Sequence, residues 1–135
     1  MKSLDAESQL RINTDGDLWT LDYVWQGRRL GRITATRNGK RLLIGDFLVD
    51  NPQNRGHGIG KCLLDEFLKT AREEAISEVW GSVTQDDIQQ TPYLLDWYQR
   101  LGFTISEPDG ECIETAAKKI VLKLKGEEAA RALNH

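Results

Sequence analysis

The segment that most constrains the fold runs from Arg41 to Ala75, where an apolar strand leads through a glycine-containing loop into an amphipathic helix. The strand, Arg41 to Val49, carries apolar side chains on both faces: Leu42, Ile44 and Leu48 on one, and Leu43, Phe47 and Val49 on the other. Such a pattern is typical of a central strand that is covered on both sides. From Ile59 onward, apolar residues recur with helical spacing and predict a helix of about four turns.

The residues before this strand predict a β-meander. Apolar and polar residues alternate from Trp19 to Trp25, which predicts a strand with one strongly apolar face. A second strand is expected at Arg28–Thr36, and Asn38-Gly39 then predicts a tight hairpin turn. A weaker first strand is expected around Leu10–Ile12.

The residues after the helix predict four more elements in the order strand, helix, strand, strand, at Val79–Thr84, Thr91–Leu101, Phe103–Ser106 and Lys119–Leu124. Thr91 is expected to cap the second helix, with Pro92 in its first position and Gly102 at its end. A short terminal helix is expected at Glu127–Leu133. The predicted order is β-β-β-β-α-β-α-β-β. It indicates one mixed α/β domain over residues 1–135, with a mostly antiparallel sheet and flanking helices.

Composition argues against several classes of protein. The net charge of −3 argues against a nucleic-acid partner, because phosphate neutralisation needs a basic face. No apolar stretch is long enough to cross a bilayer, and Met1–Leu10 lacks the apolar core of a secretory signal, so no membrane partner is expected. Cys62 and Cys112 do not suggest a disulfide framework, which favours a cytoplasmic location. No Cys/His cluster has metal-ligand spacing, so no metal is expected.

The loop between the strand and the helix is the first candidate binding site. Its glycines at positions 56, 58 and 60 allow the backbone to approach a ligand, and the free N–H groups at the helix start favour a phosphate. A Walker A loop would need glycine in place of Arg55 and Ser or Thr in place of Cys62. A dinucleotide-binding fingerprint would need glycine in place of Lys61. Both patterns therefore fail.

Arg55, Gly58 and Gly60 do fit the pattern Q/R-x-x-G-x-G/A. In this feature the sequence resembles the GNAT superfamily of N-acetyltransferases, in which the loop lies between the fourth strand and the following helix. The resemblance implies acetyl-CoA as the cosubstrate, with its pyrophosphate held by Arg55 and by backbone N–H groups of the following residues: Gly56, His57, Gly58, Ile59, Gly60 and Lys61. His57 is expected to face solvent, although it could touch a phosphate.

The resemblance also implies that the end of the strand, at Leu48 and Val49, pairs with the pantetheine arm like an added strand. The family often has a V-x-P spacing at this point. Here one extra residue separates Val49 from Pro52, which leaves open which backbone group meets the pantetheine.

A second motif, Trp97-Tyr98 followed by Gly102-Phe103, is similar to the family's F/Y-Y-x-x-x-G-F signature. The resemblance implies that Tyr98 is the general acid that protonates the departing thiolate. The alternative is a purely structural tyrosine, because Tyr98 shares a helical face with Leu94, Leu95 and Leu101. Both interpretations stay open at this point.

Asp46 is the candidate general base for the attacking amine. It interrupts an otherwise apolar strand, so we expect its carboxylate to be desolvated, which favours proton uptake. An acid on this strand often holds the water that collects the proton in the family that the sequence resembles. The alternatives are an ion pair with an arginine such as Arg32, or an acid at a strand bulge beside Gly45.

Asp86 and Asp87 follow the next strand and are candidate substrate-binding residues that could attract a cationic amine. The alternative is an ordinary solvated loop. Relatives usually place one or two helices between their first two strands, and those helices wall the acceptor side. The segment Gln9–Val49 leaves little room for them, so we expect an acceptor site that is open or is completed by a homodimer partner.

Together these features predict an acetyl-CoA-dependent N-acetyltransferase that acts directly on a primary amine of a small molecule or a peptide. The main alternative is a catalytically silent acyl-CoA-binding module of the same fold. A plain interaction module, whose glycine loop is only a turn, is a third interpretation. The acceptor and any acyl group longer than acetyl stay open.

Overall fold

In a computed structural model, residues 8–49 and 58–124 are described. The elements in this part of the chain are seven strands and three helices: β1 (Ser8–Asn13), β2 (Leu18–Trp25), β3 (Arg28–Asn38), β4 (Arg41–Val49), α1 (Ile59–Glu73), β5 (Glu78–Thr84), α2 (Gln85–Gln90), α3 (Leu94–Arg100), β6 (Thr104–Ser106) and β7 (Ala116–Lys123). The expected terminal helix at 127–133 lies outside the described residues.

The strands form one sheet in the order β1-β2-β3-β4-β5-β7-β6. Only β4 and β5 pair in parallel, and every other neighbouring pair is antiparallel. This arrangement confirms the predicted mixed α/β class with a mostly antiparallel sheet. The hairpin prediction is also confirmed, because the chain turns at Gly39-Lys40 with a φ of 64° at Gly39, a conformation that favours glycine.

Helix α1 covers one face of the sheet, and the hydrophobic core lies between the helix and this face. Its buried side chains pack against alternate residues of the strands, and Phe67 meets the ring of Trp19 edge-on, with 6.2 Å between ring centroids. At its N-terminal end the helix lies very close to β3. A Cβ on Gly31 would be only 2.8 Å from Leu63 Cδ1, so this position requires glycine.

Strand β4 has the predicted bounds, but the predicted distribution of its side chains is wrong beyond Gly45. In the pairing with β3, Ile44 lies opposite Ala35 and Asp46 lies opposite Thr34, which leaves Gly45 as an extra residue in a β-bulge. The bulge reverses the alternation. Phe47 and Val49 therefore share the core face with Leu42 and Ile44, whereas Leu48 lies on the opposite face with Asp46.

Helix α2 was not predicted, and the expected role of Thr91 is wrong. Thr84 begins α2 with a capping box: its Oγ1 accepts a hydrogen bond from Asp87 N (3.1 Å), and Asp87 Oδ2 accepts one from Thr84 N (2.9 Å). Thr91 follows the end of α2, and Tyr93 is the residue before α3. The expected loop carrying Asp86 and Asp87 is thus a short helix.

The sheet face opposite α1 carries no covering helix in the described part of the chain. The connection from β1 to β2 is only the short turn 14–17, which agrees with the expectation that the acceptor-side helices are absent. Polar pairs occupy this open face instead. Arg32, for example, donates to both carboxylate oxygens of Asp22, at 2.6 and 3.1 Å. This ion pair lowers the pKa of Asp22.

Among residues 8–49 and 58–124, no helix has the length and apolar character needed to cross a membrane.

Candidate functional site

A cleft opens in the middle of the sheet because two parallel strands separate. In the pairing of β4 with β5, residues Arg41–Ile44 lie opposite residues Glu78–Gly81. The two strands separate beyond this point, at the bulge at Gly45. Beyond that point the backbone edge of β4 that faces β5 has no strand partner among residues 8–49 and 58–124. The resulting cavity has a volume of about 600 Å³ and is bounded by both strands, the start of α1, and the two short helices α2 and α3.

The start of α1 forms one end of this cavity. Gly58 precedes the helix with φ 80° and ψ 7°, and no side chain caps it in the described part of the chain. The first helical hydrogen bond runs from Cys62 N to Gly58 O at 2.9 Å. The N–H groups of residues 59–61 lie before this bond and therefore have no acceptor within the helix. The first turn also lacks an acidic side chain. These uncapped donors and the helix dipole together favour an anion such as a phosphate.

The predicted cofactor-binding residues are only partly brought together in the described part of the chain. Five line the cavity, namely Leu48, Val49, Gly58, Gly60 and Lys61. Ile59 is 6% exposed and packs into the core instead. Arg55, Gly56 and His57 lie outside the described residues. The exposed side chain of Lys61 is paired with Asp65 at 2.7 Å, and its backbone N–H is one of the donors at the start of α1.

Tyr98 lies on α3 and lines the same cavity, although it is only 5% exposed. Its ring packs against Trp97 and Phe103, with centroid distances of 5.4 and 5.2 Å. Within the described residues its hydroxyl has no hydrogen-bond partner. Burial raises the pKa of this phenol well above its ordinary value, and the nearby charge of Asp87 adds to the rise. Tyr98 therefore stays protonated at neutral pH and can donate a proton into the cavity.

Asp46 also lines the cavity, but the expectation that it is desolvated is wrong. It is an exposed residue directly after the bulge, and its backbone N donates to Thr34 Oγ1 at 3.0 Å. Its carboxylate forms no ion pair within residues 8–49 and 58–124, while Arg32 pairs with Asp22. Of the alternatives considered, an acid at a bulge beside Gly45 is the geometry observed. Asp46 is therefore accessible both to solvent and to a molecule in the cavity.

The two further carboxylates have different positions. Asp87 lines the cavity and is held by the capping box of α2, whereas Asp86 is exposed and does not line it. No group of three or more His, Cys, Asp or Glu residues within the described ranges could hold a metal ion.

Sequence reasoning missed an aromatic pair that forms part of the cavity wall. Phe47 and Trp97 meet edge-on at 5.5 Å between ring centroids, and both line the cavity. A Cβ on Gly60 would lie 3.7 Å from the Trp97 ring, so the pair sits directly beneath the start of α1. Trp97 was noted only as part of a motif, and Phe47 could not be assigned to this face without the bulge.

Three comparisons with known proteins bear on this site. A family model described as "Acetyltransferase (GNAT) domain" matches residues 2–114. No curated protein sequence matches the chain.

Among solved structures, the chain is similar to the PaiA N-acetyltransferase from Thermoplasma acidophilum, which was crystallised in complex with coenzyme A. The two share 19% identity and a TM-score of 0.66, over 80% of this chain and 62% of that one. It is also similar to a GNAT-family acetyltransferase from Staphylococcus aureus, at 19% identity and a TM-score of 0.67, over 82% of this chain and 71% of the other.

A third similar structure is the ribosomal-protein-S18-alanine N-acetyltransferase from Escherichia coli. Here the identity is 15% and the TM-score 0.59, over 93% of this chain and 76% of the other. At these identities, the likenesses to solved structures show a shared fold.

Proposed function

Since this chain belongs to the family of GNAT acetyltransferase domains, we propose that it transfers the acetyl group of acetyl-CoA directly to a primary amine. The observation that carries the proposal is one cavity that combines the uncapped start of α1, the unpaired edge of β4 and the buried Tyr98. An anion site, a strand edge and a proton donor are the parts that acyl transfer from a nucleotide-linked thioester requires.

The described residues fit acetyl-CoA as the cosubstrate. The N–H groups at the start of α1 would hold the pyrophosphate, and the free edge of β4 at Leu48 and Val49 would pair with the pantetheine arm. When bound, acetyl-CoA supplies the thioester whose carbonyl carbon is attacked. Phe47 and Trp97 would form the apolar wall along which this arm lies.

Two side chains of the cavity are assigned to proton transfer. Asp46 takes a proton from the incoming ammonium, directly or through one water, so that the neutral nitrogen can attack. As the C–N bond forms and the C–S bond breaks, Tyr98 donates its phenolic proton to the sulfur. The nitrogen releases its second proton to solvent as the amide forms, and solvent returns a proton to Tyr98. The pKa of Tyr98 is raised by burial, so the phenol is protonated at neutral pH and carries the proton that the sulfur takes up.

The proposal is tested by following thiol release from acetyl-CoA with a panel of primary amines, with mass spectrometry of the amine as a second readout. We expect amine-dependent thiol release together with an acetylated amine. A rise in melting temperature with acetyl-CoA but no turnover with any amine would instead indicate the acyl-CoA-binding module. No rise in melting temperature at saturating acetyl-CoA would reject both functions.

A further inference from the structure

The acceptor side of the cavity opens onto the sheet face that no helix of the described residues covers. Asp46 and Leu48 point to this face because the bulge places them opposite Thr34 and Arg32. Ser82 lies on the same face, since it alternates along β5 with core-facing residues. Asp46, Leu48 and Ser82 all line the cavity. A molecule approaching the thioester from this side would meet them first.

Two exposed apolar residues lie close to this opening: Leu48 lines the cavity, and the backbone of Ile113 contacts Ser82. Leu48 is 49% exposed and Ile113 is 56% exposed. Ile113 belongs to the segment between β6 and β7, and its backbone N donates to Ser82 Oγ at 3.4 Å, which places it beside the cavity. Exposed apolar residues near the mouth of a cavity provide a surface for an apolar part of a ligand.

The segment that carries Ile113 is anchored to the sheet by ion pairs. Glu111 accepts two hydrogen bonds from Arg41, both at 2.8 Å, and one from Lys119 at 2.5 Å. Lys119 is also paired with Asp109 at 2.8 Å. Both cations lie 5.1 Å from the ring centre of Trp80. These contacts hold Ile113 in place beside Ser82.

One carboxylate at the opening is unpaired. Asp46 lines the cavity and has no ion-pair partner within residues 8–49 and 58–124, whereas Arg32 is paired with Asp22, and Lys119 with Asp109 and Glu111. The Asp46 carboxylate is therefore available to attract a cation at this side of the cavity.

The Tyr98 hydroxyl is available to a molecule bound in the same cavity. It belongs to a side chain that lines the cavity, and it has no hydrogen-bond partner within the described ranges. A hydroxyl that reaches a cavity can donate a hydrogen bond to a molecule bound there.

We infer that the acceptor is a primary ammonium carried next to an apolar group, and that it reaches the cavity across the open sheet face. The inference rests on the proposed function. Asp46 binds the ammonium, while Leu48 and Ile113 contact the apolar group. A free hydrophobic amine and a peptide with an apolar first residue share this chemistry, and the absence of a covering helix in the described part leaves room for both.

The test measures kcat/KM for matched amines at a fixed acetyl-CoA concentration. Phenethylamine is compared with ethanolamine, and the peptide amide Phe-Gly-Gly with Ser-Gly-Gly. We expect kcat/KM to be about tenfold higher for the apolar member of each pair. A tenfold difference corresponds to the additional burial of about one or two methylene-sized groups. Whichever apolar substrate is used better identifies the source as a free amine or a peptide.

Ile113→Ser is the diagnostic variant, and Ile12→Ser is its matched control. Ile12 is another exposed isoleucine, but it lies on β1 at the far edge of the sheet. We expect Ile113→Ser to raise KM for phenethylamine about fivefold, with no change for ethanolamine or acetyl-CoA. Ile12→Ser should leave all three constants unchanged.

The inference and the proposed function fail in different ways. Equal use of the polar and apolar amines, a preference for spermidine, or identical behaviour of the two isoleucine variants would overturn the inference while acetyl transfer stands. Binding of acetyl-CoA with no turnover on any of these amines would overturn it as well. No binding of acetyl-CoA would reject the proposed function itself.

Discussion

The close approach of α1 to the sheet makes Gly31→Ala the most informative single substitution for stability. The added Cβ would lie 2.8 Å from Leu63 Cδ1, 3.0 Å from the carbonyl oxygen of Leu48 and 3.3 Å from Ile59 Cγ2. Leu63 is fully buried and Ile59 nearly so, and the carbonyl belongs to a paired strand, so none of the three can swing aside. The N-terminal end of α1 must therefore move away from β3.

The expected cost follows from the overlap. Overpacking of this kind typically costs about 1–3 kcal/mol. Replacing glycine by alanine also restricts the unfolded chain, which stabilises the native state by about 0.4–1 kcal/mol. We therefore expect Gly31→Ala to lower the free energy of unfolding by about 1–2 kcal/mol. Because Leu48 and Ile59 border the proposed acetyl-CoA site, the same movement should also weaken acetyl-CoA binding.

The assay is denaturant unfolding followed by tryptophan fluorescence, with Gly81→Ala as the matched control. Gly81 is also a buried strand glycine, but its added Cβ would meet Ile44 and Ile120 at 3.6 Å, which is ordinary contact. We expect Gly81→Ala to be unchanged or up to about 1 kcal/mol more stable. Equal stability changes in the two variants would refute the packing argument.

Three further predictions concern individual side chains. Tyr98→Phe should lower kcat about 100-fold without loss of stability. The control Tyr93→Phe, which changes another tyrosine of the same cavity, should leave kcat unchanged. Near-normal turnover of Tyr98→Phe would contradict the role of Tyr98 as the general acid. Asp46→Asn should lower kcat/KM most at low pH, and an unchanged pH–rate profile relative to an Asp86→Asn control would contradict its role as base. The ion pairs of Glu111 lower its pKa to about 2 from 4.5, so its contribution to stability is present above about pH 4.5 and lost as pH falls towards 2. Glu111→Gln should therefore be less stable than wild type near pH 6, and that difference in unfolding free energy should shrink on acidification; a constant difference would argue against the pairing.

The parts of the fold that could be predicted are those decided by neighbouring residues. β4 begins and ends where predicted because the Asn38-Gly39 turn and the apolar run determine its limits. Tyr98 was placed in the candidate site by its motif, and it does line the cavity. For these positions the local pattern and the tertiary structure favour the same conformation.

The bulge at Gly45 could not be predicted, because it depends on how β4 aligns with β3 rather than on β4 alone. That single extra residue reverses the faces of Phe47 and Leu48 and exposes Asp46. The prediction that the Asp46 carboxylate is desolvated is therefore wrong. Helix α2 did carry a local signal, the Thr84–Asp87 capping box, but with Ile88 as its one large apolar side chain it lacked a helical apolar pattern.

The most direct test of the central claim is calorimetric titration of acetyl-CoA into the wild-type protein and Gly60→Asp. The added carboxylate would occupy the first turn of α1, where it interacts favourably with the helix dipole, and the Cβ of the new side chain would meet the Trp97 ring at 3.7 Å, an ordinary contact. It would also repel a pyrophosphate. We predict one-to-one binding by wild type, binding at least about tenfold weaker by Gly60→Asp, and a melting temperature of the free variant no lower than that of wild type. Equal binding by a stable Gly60→Asp, or no binding by wild type, would contradict the placement of acetyl-CoA at the start of α1.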